Sequence, residues 1–231
     1  YFNISTIEGS NRNRNRLTFA GIKDIILFLR DNLFIEYFNL SGNSIKNEGF
    51  IAICKGLNEN RSLVTLKLSH NEIGEKGIIQ GLKYITYPVN RLIYLDLSKN
   101  RILDDGLIAL TNQLRDFPNL YSLNISFCGF EFRGFELLLK NLQYSRKLYF
   151  AYFGLRSLNM SKCSLCDDST FKLGECLENN VTIKKLNISE NEITDKGFRP
   201  FETLFYKNSS INQFDVSCNF LTNNGIINFI K

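Results

Sequence analysis

Residues Leu92–Ile102 read LIYLDLSKNRI. Apolar residues stand at the first, fourth, sixth and eleventh positions and Asn100 at the ninth. The alternation through Leu95 and Leu97 is that of a short strand with one buried face, and a turn follows at Ser98–Asn100. The same pattern recurs at Ile35–Ile45, Leu63–Ile73, Leu120–Phe130, Leu155–Leu165, Ile183–Ile193 and Ile211–Leu221. The sixth position holds Leu40, Leu68, Leu97, Ile125, Met160, Ile188 and Val216. The ninth holds Asn43, Asn71, Asn100, Cys128, Cys163, Asn191 and Asn219, spaced 28, 29, 28, 35, 28 and 28 residues apart. An earlier copy starts the chain, where Tyr1–Ser5 (YFNIS) aligns with Tyr94–Ser98 (YLDLS).

Each copy has a helical second half. Six residues past the ninth position stands Gly49, Gly77, Gly106, Gly134, Ser169, Gly197 or Gly225, with Gly21 as the counterpart in the first copy. From there apolar residues fall one, four and eight positions on, as in Phe50, Ile53, Leu57 and in Leu107, Leu110, Leu114. That is one face of an amphipathic helix. Glycine at its start lets the helix pack closely on its neighbour.

These in-register copies resemble the leucine-rich repeat family, and the period near 28 is similar to its ribonuclease-inhibitor-like subclass. The resemblance covers nearly the whole chain. It implies an α/β solenoid, a horseshoe with parallel strands on the concave face and helices on the convex face. One repeat cannot bury its own apolar face, so neighbours must do it for one another. At the ninth position a buried Asn would bond turn backbone, and Cys, small and weakly donating, can substitute. Asn43, Asn71, Asn100, Cys128, Cys163, Asn191 and Asn219 are therefore read as a structural ladder.

Residues 1–231 are expected to form a single solenoid of about eight repeats. Residues 1–34 make an irregular first repeat, with eight extra residues that include Asn11–Arg16 (NRNRNR). That run reads either as a basic finger or as a solvated loop. A second insertion lies at 143–154, where Tyr144, Tyr149, Phe150, Tyr152 and Phe153 stand beside Arg146 and Lys147. Aromatics with Arg suit a contact hot spot, and packing on adjacent repeats is the competing reading. The start lacks Met, so the chain reads as excerpted. It stops at Lys231 inside the last helix, and the uncapped end is expected to be covered by more chain or another protein.

Composition narrows the function. The chain has 231 residues, 44% hydrophobic and 22% charged, which is a globular mix. Its net charge of +5 is too modest for a nucleic-acid arm. No apolar run is long enough for a membrane helix. Six scattered Cys form no disulfide framework, which favours a reducing compartment. The 28 Asn and 24 Ile against 4 Ala fit an A/T-rich coding bias, so no single Asn is a functional signal by itself.

No catalytic constellation emerges, and no cofactor or metal is expected. His70 occupies a variable edge position, Cys163-x-x-Cys166 has no second pair for zinc, and Cys218 lacks a basic neighbour. Asp104-Asp105 and Asp167-Asp168 fall just before helices, where helix-start electrostatics account for them. The strand's third, fifth and seventh positions face the concavity. Ser occupies the seventh every time, from Ser41 to Ser217, which points to a structural role. Partner contact is therefore assigned to Tyr37, Tyr94 and Tyr121 and to Arg156, Lys162, Lys184 and Lys185, a cation cluster suited to an acidic protein surface.

The resulting expectation is a non-catalytic protein–protein interaction scaffold, monomeric within a complex. It would be cytoplasmic and part of a cytoskeletal, axonemal (ciliary) or regulatory assembly, binding neither nucleic acid nor membrane. The alternative is a GTPase activator similar to the leucine-rich repeat activator of Ran, with Arg101 as a rim arginine, although that family's acidic tail is missing.

Overall fold

The computed structural model describes residues 1–5, 17, 19–86, 91–143 and 154–230. Strand and helix alternate along the chain. The strands are β1 (Phe2–Asn3), β2 (Tyr37–Asn39), β3 (Thr65–Lys67), β4 (Tyr94–Asp96), β5 (Ser122–Asn124), β6 (Ser157–Asn159), β7 (Lys185–Asn187) and β8 (Gln213–Asp215). The helices are α1 (Phe19–Asp31), α2 (Lys46–Glu59), α3 (Glu75–Gly81), α4 (Leu103–Gln113), α5 (Phe132–Gln143), α6 (Asp167–Leu177), α7 (Asp195–Lys207) and α8 (Asn223–Ile230). The strands form one parallel sheet in chain order, β1 to β8, with equivalent repeat positions paired throughout. Parallel strands sit about 4.8 Å apart while packed helices need about 10 Å, so the stack curves with the strands inside.

The core lies between sheet and helices. Leu66, Leu95, Leu123, Leu158 and Leu186, at the strand centres, are all buried. Phe50, Ile53, Leu57, Leu107, Leu110 and Leu114 meet them from the helices and are buried as well. At the β8 end, Phe214 packs against Phe201 and Phe205 with ring centroids 5.3 Å apart.

Hydrogen-bonded ladders cross the repeats. Asn100 Nδ2 donates to the carbonyls of Leu68 (2.9 Å) and Leu97 (2.8 Å), and its Oδ1 accepts from the N–H groups of Asn71 and Ile73, each at 3.0 Å. Asn191 repeats this with Met160 and Ile188 as acceptors and Cys163 and Leu165 as donors. In the Cys rungs the thiol donates, Cys128 to Leu97 O (3.3 Å) and Cys163 to Ile125 O (3.4 Å). Burial keeps both thiols protonated: it raises Cys128 strongly and pushes Cys163 up to about 11.

A second device joins the helices and corrects the reading of the acidic pairs. Asp104 and Asp167 lie within the first turns of α4 and α6, and each caps the helix of the next repeat. Asp104 Oδ1 accepts from the N–H groups of Glu131 (2.8 Å) and Gly134 (2.9 Å). Asp167 accepts from Thr194 N–H (2.8 Å) and Thr194 Oγ1 (2.7 Å). Glycine at the helix start makes room for this. A Cβ on Gly134 would lie 2.7 Å from Asp104 Oδ1, and one on Gly197 2.6 Å from Asp167 Cα.

A third ladder closes the other edge, ahead of the strands. Asn60, Asn180 and Asn208 are buried. Asn208 Nδ2 donates to Leu177 O and Asn180 O, and its Oδ1 accepts from Ser210 N–H and Ile211 N–H. Its signature, Asn-x-Ser/Thr followed by Leu or Ile, stands in the sequence at 60–63, 180–183 and 208–211.

Candidate functional site

The concave face is built from positions three and five of each strand, because position four turns inward. On the sheet, Tyr1 lies beside Tyr37, since β1 and β2 pair Phe2 with Phe38. The two tyrosine rings stack at 4.2 Å and 9°. A hydrogen bond to Tyr37 holds the Tyr1 phenol above its ordinary value. Lys67 projects from position five of β3 between two aromatics, its Nζ 5.5 Å from the Tyr37 ring centroid and 5.6 Å from that of Tyr94. Burial, with the nearby Asp96 carboxylate, pushes the Tyr94 phenol up to about 12, against an opposing hydrogen bond from Asn124. The β1–β4 part of the face is thus an ordered aromatic platform with one cation set into it. Tyr1 and Lys67 were missing from the sequence-based assignment; their contacts cross repeats and show only once the strands are in register.

Position five has a structural duty that sequence reading missed. Asn39, Asn124 and Asn159 accept through Oδ1 from the N–H of the serine two residues on, at 2.9–3.1 Å. Asp96, Asn187 and Asp215 also take the serine hydroxyl, at 2.7–2.8 Å. The invariant serine ends the strand in an Asx-turn. The visible signal was Asn or Asp at position five wherever Ser follows at seven, broken only by Lys67.

The cations occupy two places. Tyr121, Arg156 and Lys184 hold position two of consecutive repeats, where the strand begins. The Arg156 guanidinium lies 5.1 Å from the Tyr121 ring centroid, and Arg156 O accepts from the N–H groups of Lys184 (2.7 Å) and Lys185 (2.8 Å). Lys185 is exposed and shares a shallow concavity of about 340 Å³ with Asn159, Asn187, Gln213 and Asp215. Among the described residues none of Arg156, Lys184 and Lys185 has a carboxylate within ion-pair distance. Lys162 sits apart, at the opposite strand end, with its Nζ 3.5 Å from Glu190 and 5.3 Å from the Phe127 ring centroid. Arg101 is exposed on that same rim. The aromatic insertion, Tyr144 to Phe153 with Arg146 and Lys147, and the Asn11–Arg16 run lie outside the described residues.

The cysteines diverge as their environments do. Cys163 is buried in the ladder, whereas Cys166 is exposed at the start of α6, where the Ser169 N–H lowers its thiol.

The repeat geometry agrees with the comparisons. The leucine-rich repeat family profile matches residues 31–54, 59–79, 92–110 and 179–201, segments that carry β2, β3, β4 and β7 with their ladder Asn. The chain is a leucine-rich repeat protein of the ribonuclease-inhibitor-like kind. This leucine-rich repeat chain is 29% identical over 189 residues to FERM domain-containing protein C of Dictyostelium discoideum, with 80% of the chain aligned to 12% of that protein. It is 28% identical over 164 residues to the ribonuclease inhibitor of Sus scrofa, with 71% of the chain aligned to 35% of the inhibitor. The solved structure of the leiomodin-1 actin-binding site 2 overlays with a TM-score of 0.46 and 14% identity, covering 82% of this chain and 89% of that one. The aligned region thus spans 12% of the length of the Dictyostelium discoideum protein and 35% of that of the ribonuclease inhibitor. Its family sets the coarse function as protein–protein interaction.

Proposed function

We propose that the chain is a non-catalytic binding solenoid that grips a protein partner with its concave face. The aromatic platform of Tyr1, Tyr37 and Tyr94 would anchor the contact, and Arg156, Lys184 and Lys185 would meet an acidic surface. The observation that carries this reading is the placement of Lys67 between two ordered tyrosines, continued along the sheet by three cations that have no carboxylate partner among the described residues. Rigid aromatics with adjacent cations are the composition of interface hot spots, and unneutralised cations favour an acidic approach.

The finer reading places the chain in the cytoplasm, as a monomeric segment of a larger cytoskeletal, axonemal or regulatory assembly. Two observations support it. The alignments fall inside much longer proteins, and all six Cys are free thiols, four of them buried. Among the described residues no helix is long and apolar enough to cross a membrane.

The test is affinity capture from native extract with wild type and with Tyr37→Ala/Tyr94→Ala. A partner held by wild type should be lost at least tenfold on the double variant, with the melting temperature retained. Undiminished capture would contradict the concave-face reading.

A further inference from the structure

A groove of about 720 Å³ runs along the rim where the strands end, across the repeats of β4 to β8. It is separate from the concave positions described above. Its shape follows from the tenth position of successive repeats: Arg101, then Gly129 and Ser164, then Glu192. Two small residues between two long ones leave a notch. Gly129 sits at φ +69°, where a side chain would be strained, and a Cβ there would come within 3.3 Å of Leu103.

The inner wall is Phe127, and it is unfavourable there twice over. It is 53% exposed, and it holds φ 52°, in the left-handed region that bulky residues rarely occupy. The left-handed turn is common to the eighth position of the repeats, where His70, Lys99, Lys162, Glu190 and Cys218 also stand; what sets Phe127 apart is a large half-exposed ring at that position, which contributes little to folding. Lys162 orders the ring from one side and is itself held by Glu190.

The two ends of the groove carry opposite charges, with Glu131 and Lys162 between them and Lys162 paired to Glu190. The β4 repeat supplies Lys99 and Arg101, and the β7 repeat supplies Glu190 and Glu192, with Glu131 on the outer wall. The two ends are three strand steps apart, about 14 Å. An extended chain spans that with about five residues at about 3.3 Å each.

We propose that this rim groove binds a short extended segment of a partner protein in which an acidic residue, an apolar residue and a basic residue follow at alternate positions, running from β4 toward β7. The acid meets Arg101, the apolar side chain seats on Phe127 above Gly129, and the base meets Glu192, beside the Lys162–Glu190 pair. The site needs no contact with the concave face, so it stands or falls apart from the reading above.

The test pans a displayed library of random heptapeptides on the full chain. Enrichment of acid-x-apolar-x-base is expected. Arg101→Glu should abolish it. Phe127→Asn should abolish it while the melting temperature holds or rises, because Asn tolerates the left-handed conformation. The double exchange Arg101→Glu/Glu192→Lys should enrich the reverse order, base-x-apolar-x-acid. Lys184→Glu/Lys185→Glu, on the concave side, should leave the enriched set unchanged. No enrichment, or enrichment indifferent to Arg101→Glu and Phe127→Asn, would overturn the proposal.

Discussion

Asp167 and Gly197, thirty residues apart, form one joint between successive helices: the carboxylate of the first occupies the space that a side chain on the second would fill. Its Oδ1 accepts from Thr194 N–H at 2.8 Å. Gly197→Ala therefore has an unusual sign. In an unconstrained helix the change would stabilise by about 0.5–1 kcal/mol. Here overpacking should destabilise by about 1–3 kcal/mol. Urea unfolding checks it, and a stabilised variant would refute the joint.

The same joint sets a pH dependence. Burial opposes the charge on Asp167, but the hydroxyl and N–H of Thr194, the Gly197 N–H and Lys196 outweigh it and hold the carboxyl below its ordinary 3.8. Thr222 does the same for Asp195. A depressed carboxyl adds stability that is complete above its ordinary value and lost as pH falls through the depressed one. Asp167→Asn keeps an acceptor, as Asn47 does for Gly74 N–H at 2.8 Å, but cannot titrate. Wild type should lose more stability than this variant between pH 7 and pH 2. Parallel losses would refute the linkage.

Asn71 and Asn191 each bond the turn backbone of two repeats. Replacing either with Ala leaves buried N–H and C=O groups unpaired, at about 1–3 kcal/mol apiece. Thermal or denaturant melts of the single variants measure this, and unchanged midpoints would remove the ladder from the account.

His70, Lys99, Phe127, Lys162, Glu190 and Cys218 all hold the eighth position with φ between 53° and 57°, or 52° for Phe127. L-residues there carry about 1–2 kcal/mol of strain. His70 is exposed, so His70→Gly should raise stability, by up to about 1 kcal/mol. A lower melting temperature would show that the side chain is needed.

The repeats and their burial were legible because an apolar period survives in one dimension: Leu66, Leu95 and Leu123 recur where a strand centre needs them. The Asp167–Gly197 joint was half legible: glycine at the helix start pointed to close packing on the neighbour, but the acid had an adequate explanation at its own helix start, and only stacking brings the two together. The left-handed turns left little trace, because Gly42 alone among the eighth positions is a glycine. On the concave face the tyrosines could be placed from register, but Lys67 between Tyr37 and Tyr94 depends on how far a lysine reaches across repeats. Lys162 was grouped with the other cations by charge, yet its Glu190 and Phe127 contacts bind it to the rim.

The central claim is that the concave cations meet an acidic partner, and association kinetics test it most directly. The protein captured by wild type is bound to wild type and to Lys184→Glu/Lys185→Glu at low and at moderate salt. Exposed charges act within a Debye length, about 8 Å at 0.15 M, and mainly set the rate of encounter. The account predicts that the variant associates at least tenfold more slowly at low salt, with a flattened salt dependence and an unchanged fold. Equal rates and equal salt slopes for the two proteins would contradict it.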